Sequence, residues 1–119
     1  MGNGTERQAP FAPVPNGTVT IAAVTSGPTA ASATLTPPSA PFQLIDNYMQ
    51  VELVTGANPC YFGWGTSSGA AAAQATVANG YPVPANTRRV ISIPANAINI
   101  AAISVTGASS CTATSGVGV

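Results

Sequence analysis

Histidine and lysine are absent from this chain of 119 residues, and charge of either sign is scarce. Without histidine there is no conventional Ser–His or Cys–His pair, and without lysine no Schiff base or lysine general base. Charged residues make up 5% of the chain, against roughly 25% in ordinary soluble domains. The charges are Glu6, Arg7, Asp46, Glu52, Arg88 and Arg89. Three arginines balanced by three acids make no basic face, so nucleic acid is not an expected partner.

The three carboxylates are equally unpromising for catalysis. On one extended strand, Asp46 and Glu52 would stand roughly 20 Å apart at ~3.3 Å per residue, beyond the roughly 5–9.5 Å of a glycosidase pair. No enzymatic activity is expected. A calcium site would have to rely heavily on backbone oxygens. Gly63-Trp64-Gly65 and Gly116-Val117-Gly118 are GxG fragments lacking the third glycine, helix and acidic partner of a dinucleotide site. Cys60 and Cys111 lack metal-ligand spacing but leave a disulfide open. No cofactor is expected.

Long apolar runs are missing too. No stretch approaches the ~18 residues of a membrane span, and the first residues lack the basic and apolar regions of a signal peptide. Met1-Gly2 opens like a myristoylation signal, but Glu6 stands where Ser or Thr is required. The sequons at Asn3 and Asn16 matter only in a eukaryotic secretory pathway. Neither membrane nor lipid anchor is expected.

What remains is an ordinary apolar fraction of 45%, enough for one packed domain. With so few charges, Thr, Ser, Asn, Gln, Gly and Ala must cover its surface, which suits a protein that sits against other proteins or sugars. Residues 1–17 carry Pro10, Pro13 and Pro15 and read as an extended arm, long enough to order on a neighbouring subunit. Pro10-Phe11-Ala12-Pro13 fits PxxP, a pattern common by chance.

Residues 18–119 read as a succession of strands. Residues 19–25 and 31–36 alternate and end at Gly27-Pro28 and Pro37-Pro38. Met49, Val51 and Leu53 share one face of the clearest strand, with Gln50 and Glu52 on the other. Alternation from Cys60 puts Cys60, Phe62 and Trp64 on a core stripe, leaving Tyr61 and Gly63 on the reverse. Residues 79–84 read as loop, and 88–93 as a β-branched strand ended by Pro94. In 96–107, Ile98 and Ile100 have one parity and Ile103 and Val105 the other, so a bulge or break is expected at Ala101-Ala102. A last strand is expected over 111–119. The alanine run at 69–75 has helix propensity but is too short to hold a helix unaided. About seven to nine strands with frequent turns predict an all-β antiparallel sandwich or small barrel.

Candidate interaction residues follow from exposure and residue type. They are Pro10, Phe11, Pro13 and Pro15 of the arm, Arg88 and Arg89, and Ala71 and Ala72 of the alanine run. Adjacent Arg88 and Arg89 point to opposite faces of a strand, so one is free for an interface while the other pairs with Glu52 or Asp46.

From Tyr48 on, VELVTGANPCYFGWG followed by GYPVPANTRRVISIPANAINIAAISVTGASS resembles small virion proteins of tailed bacteriophages. A strand enters a small-residue turn, and an aromatic strand ends in glycine. Then come a variable loop, a strand closing on IPA, and an IAAI-x-V-x-G segment. This resemblance implies a non-enzymatic β-sandwich or barrel of the capsid cement or decoration type. Such a protein binds the outside of the head shell, often as a homotrimer, and bridges neighbouring major capsid subunits. It would be made in the bacterial cytoplasm with its cysteines reduced and end on the virion surface. The alternative reading is a carbohydrate-binding or adhesin module of a tail or head fibre, for which Tyr61, Trp64 or Tyr81 should face outward.

Overall fold

The computed structural model describes residues 11–23, 31–37, 48–104, 106–107 and 109–118. These form eight strands and one short helix, in the order β1 (Phe11–Ala23), β2 (Ala31–Thr34), β3 (Tyr48–Val54), β4 (Cys60–Gly65), α1 (Ser68–Gln74), β5 (Tyr81–Val83), β6 (Arg88–Pro94), β7 (Asn99–Ser104) and β8 (Ser109–Gly118). The strands make two antiparallel sheets, ordered β1-β8-β3-β6 and β2-β7-β4-β5. Every strand pairs with its opposite number counted from the other end of the chain: β1 with β8, β2 with β7, β3 with β6, β4 with β5. The β3–β8 and β4–β7 ladders join these pairs into sheets. A long hairpin folded over on itself in this way is the jelly roll, a two-sheet sandwich of two Greek keys. Of the two architectures expected from the sequence, the sandwich is the one formed.

Alternation explains the core. The inward residues of the first sheet include Ile21, Met49, Val51, Leu53, Ile93 and Ala113, and they meet Phe62, Val83, Ile100 and Ala102 from the second. Leu35, just past β2, closes the same core and anchors its backbone N–H on Ile98 O at 2.5 Å. Each fully buried Leu, Ile or Phe side chain contributes roughly 1.5–3 kcal/mol, so the packed faces dominate stability. The stripe Cys60, Phe62 and Trp64 lies inward as its parity requires, with Trp64 half-buried against the core.

Three expectations change, and the alanine run takes the short helical form its propensity allowed. The strand β7 runs without a bulge, in register with β4 from Asn99↔Gly65 to Ser104↔Cys60. Its parity switch has a different cause: Ile100, Ala102 and Ser104 face the core, while Ala101 and Ile103 face out beneath α1. A strand covered on both faces has no reason to alternate. Residues 81–83, read as loop, form the edge strand β5, where Pro82 costs no interior hydrogen bond. The alanine run forms the helix α1, capped by Ser67, whose hydroxyl accepts from Ala70 N at 3.1 Å. And β1 begins at Phe11, so residues 11–17 are strand rather than free arm. Pro13 and Pro15 are tolerated because β1 is an edge and is irregular there: four residues, 14–17, stand opposite Ser115 alone between the pairs Pro13↔Gly116 and Thr18↔Thr114. The remainder of the expected arm, with Pro10, lies outside the described residues, as does Asp46.

The helix seats on the second sheet because the sheet has no side chain in its way. A Cβ at Gly63 would overlap Ala71 O and stand 2.5 Å from Ala75 N. Ala71, Ala75 and Ala101 fill the contact, and Gln74 Oε1 accepts from Trp64 N at 3.1 Å, beyond the last β4–β5 pair, Phe62↔Tyr81. Gly63→Ala should therefore lift α1 and cost about 1–3 kcal/mol, read as a lower midpoint in urea unfolding with an unchanged m-value.

The start of β1 is a second test. A Cβ at Gly116 would lie 2.8 Å from ring carbons of Phe11, so that ring rests directly on β8. Deleting residues 1–17 should lower stability by about 1–3 kcal/mol relative to deleting 1–10; equal melting temperatures for the two truncations would show that 11–17 adds nothing to the fold.

Candidate functional site

Two surface features emerge from this framework, one on each side of β6. The first is a groove lined from β4 and β5 of one sheet and by Arg89 of β6 in the other. Its volume is about 430 Å³, and Pro59, Tyr61, Pro82, Pro84 and Arg89 line it together with Cys60 and Val83. Three prolines in the lining make it apolar and rigid, since each ring fixes its own backbone φ.

Thr55 holds the groove's shape. Its side chain is nearly fully buried, donates to Pro84 O at 2.5 Å and accepts from Thr87 N at 3.0 Å. Its backbone N–H donates to Thr87 O at 2.9 Å, and Asn86 N donates to Gly56 O at 2.7 Å. Asn86 takes a left-handed conformation, φ 52°, which asparagine tolerates better than most residues. With the Thr55 hydroxyl also 3.2 Å from Thr87 O, the connection 84–87 is tied to the end of β3 by five hydrogen bonds, and it delivers Arg89 to the groove.

The second feature is the outer face of the first sheet. Thr18, Thr20, Ala22, Ser110, Ser92, Val90 and Tyr48 are exposed on it, all of one parity across the paired strands. Thr18 and Thr114 share a hydroxyl–hydroxyl hydrogen bond of 2.7 Å. The described charges on this face are Arg88 and Glu52, which form an ion pair on diagonal positions of β6 and β3. The Arg88 side chain is 59% exposed, so the pair adds at most a fraction of a kcal/mol. Arg88 is the arginine that pairs with Glu52; Arg89, of opposite parity, has no carboxylate partner among the described residues.

The candidate residues named from sequence do not converge. Pro13 and Pro15 are exposed and Phe11 half-buried on β1, whereas Arg88 and Arg89 are on β6, the opposite edge of the same sheet. Ala71 is fully buried and Ala72 half-buried in the contact between α1 and the second sheet. Ala71 is therefore occupied by the chain's own packing and withdrawn as an interface residue. Trp64 and Tyr81 pack on each other with ring centroids 6.4 Å apart and a 55° tilt, and both lean on the core. Of the three aromatics, Tyr61 is the one that lines the groove. Pro59 and Pro84 escaped notice because turn residues carry no sign of which surface they will line, and Pro82 because its short strand reads as loop.

Among the described residues no three His, Cys, Asp or Glu side chains come together as a metal site. No helix there is long and apolar enough to cross a membrane. Cys60 and Cys111 are buried and unpaired as thiols. Comparison with protein-family models, curated proteins and solved structures returns no match.

Thr55→Val keeps the shape of this side chain and removes its hydroxyl. Pro84 O and Thr87 N then lose their partner, which should cost about 1–3 kcal/mol. The Thr87 amide should exchange with deuterium far faster in the variant, while amides of β3 and β8 change only with global stability.

Proposed function

We propose that this chain is a structural protein of a tailed-bacteriophage virion, a cement or decoration protein. It binds the outside of the head shell, as a homotrimer, and bridges neighbouring major capsid subunits. The observation that carries this reading is the asymmetry of the sandwich. The helix α1 roofs the second sheet, while the outer face of the first is open, hydroxyl-rich and almost uncharged, with Tyr48 49% and Val90 39% exposed on it. Such a face has little desolvation of charge to overcome when it meets a protein surface.

Further support comes from architecture and composition. Jelly rolls recur among viral capsid domains, though fold alone never assigns function. The absence of histidine and lysine leaves no ready catalytic base or nucleophile activator. Individually weak contacts suffice on a symmetric shell, because each bound copy raises the effective concentration of the next contact.

A carbohydrate-binding module of a tail or head fibre is the second reading, and the groove beside Tyr61 and Arg89 is what favours it. Lectin domains are jelly rolls as well. Against it, Trp64 and Tyr81 spend their ring faces on each other and on the core.

Co-sedimentation with empty shells of the parent phage separates the two. The purified protein should pellet with shells, and raising salt from low to physiological strength should change occupancy little, because the open face carries few charges. Thr20→Arg, on the exposed face of β1, should cut occupancy about tenfold or more, the loss from forcing an unpaired charge against an apolar or hydroxyl surface. Shells that stay bare would sink the cement reading, and retention on a host polysaccharide instead would establish the second.

A further inference from the structure

A sheet edge offers unpaired backbone N–H and C=O groups to any further strand, and native proteins blunt such edges with proline, irregularity or shortness. The sandwich has four edges, β1 and β6 on the first sheet and β2 and β5 on the second. Three of them are blunted. Pro13 and Pro15 interrupt β1, whose register with β8 breaks between Pro13 and Thr18. The strand β2 has four residues, and β5 has three with Pro82 in the middle. The remaining edge, β6, has none of these devices. Its seven residues pair with β3 without a break, from Tyr48↔Pro94 to Val54↔Arg88, and its one proline is the last residue. The described residues place no strand on its far side.

The direction of each backbone group on β6 follows from one hydrogen bond. Thr55 N donates to Thr87 O at 2.9 Å, one step beyond the Val54↔Arg88 pair. In an antiparallel ladder, hydrogen-bonded pairs alternate with non-bonded ones. Arg89, Ile91 and Ile93 therefore turn their N–H and C=O groups toward Leu53, Val51 and Met49. Arg88, Val90 and Ser92 turn theirs outward. The side chains at this edge have contact area to spare. Val90 and Ser92 are exposed, and Ile91 stays half-buried although it packs on the core. Arg88 and Arg89 stand together at one end of the strand, and Arg88 is paired with Glu52.

We propose that β6 is a self-association edge: it takes β6 of a second copy of this chain, antiparallel to itself, on a two-fold axis through Ile91. In that register Val90 and Ser92 exchange N–H···O bonds with the partner's Ser92 and the partner's Val90, and Arg88 N–H donates to the partner's Pro94 O. Ile91 meets the partner's Ile91 as a non-hydrogen-bonded pair, the closer kind, where β-branched side chains pack well. That contact covers the part of Ile91 which its own core leaves exposed. Charge selects the register. With the axis through Ile91, the two Arg89 residues stand four steps apart, about 13 Å at ~3.3 Å each, beyond the ~8 Å screening length. An axis through Val90 halves that separation, and parallel pairing sets the arginines side by side. An axis through Ser92 leaves Val90 O facing a proline, which has no N–H to give.

Pairing in this way makes the two four-stranded sheets one continuous sheet. It extends the outer face of the first sheet rather than covering it, so edge pairing and shell binding are compatible. A contact of one patch with itself cannot belong to a three-fold ring. On a virion it joins copies of neighbouring trimers. The contact rests on the geometry of β6 alone and holds whatever surface the protein binds.

The test uses the full chain in solution. Sedimentation should give an even number of chains per particle, and Ser92→Pro should halve it. The Ser92 N–H points away from β3, so this proline removes a bond to the partner and none within the copy. Ser92→Lys keeps the backbone, sets two lysines beside the axis and should halve the particle as well. The Val90 amide should exchange with deuterium about tenfold or more faster in Ser92→Lys than in the wild type. The Ile91 amide, bonded to β3, should stay protected in both, which shows that the variant is folded. Ile91→Cys should cross-link two copies through residue 91 under mild oxidation, and Arg89→Cys should not, its partner being too distant. An odd number of chains, a mass that neither substitution changes, or a Val90 amide already unprotected in the wild type would overturn the pairing. A mass that halves without a cross-link at residue 91 would overturn the axis through Ile91.

Discussion

The strand β8 is hydrogen-bonded on both sides, to β1 and to β3, and the closure of the roll depends on that double pairing. Its partner β1 lies at the other end of the chain, with Phe11 opposite Gly118. Such long-range pairing must overcome loop-closure entropy before any local contact compensates, and it makes folding slow compared with a helical bundle. The inward faces of both sheets are what repay it. Ile21, Cys111 and Ala113 reach the core only when β1 and β8 are in register. A slip of one residue would turn those side chains to solvent and bring Thr20 and Thr112 inside.

Closing the roll also makes the two outer faces unequal. The chain between β4 and β5 is long enough to fold back as α1, and Gly63 and Ala101 leave a shallow site for its backbone. That face is then consumed by intramolecular packing. The other outer face keeps its hydroxyl groups and a few apolar side chains. Among the described residues charge plays almost no part in either, and the Arg88–Glu52 pair is too exposed to contribute much. Stability must come from apolar burial and the backbone ladders, and recognition from shape and hydrogen bonding.

The legible parts of the sequence were those with one wet face and one dry one. Met49, Val51 and Leu53 alternate with Gln50 and Glu52, and the structure places them accordingly. Cys60, Phe62 and Trp64 were legible for the same reason. β7 was not, because α1 covers the face that would have been polar and erases the alternation. β5 has three residues and a proline, too little pattern for any periodicity. Residues 11–17 misled because prolines that exclude a central strand are admissible on an edge, and edges are defined only by the assembled sheet. The groove had no signature at all, because its lining comes from three different strands, β4, β5 and β6, and from Pro59 and Pro84 beside them.

By itself the sequence determined the class of structure and which side chains are available to it. Period-two patterning, β-branched residues and frequent turn residues specify antiparallel strands wherever they fold. An absence of histidine and lysine holds in any conformation. Which strands become neighbours, which face α1 covers, and which side chains of the two sheets share one core were decided by the tertiary structure alone. These are relations between residues tens of positions apart, settled when two sheets bury their apolar faces against each other, and local sequence carries no record of them.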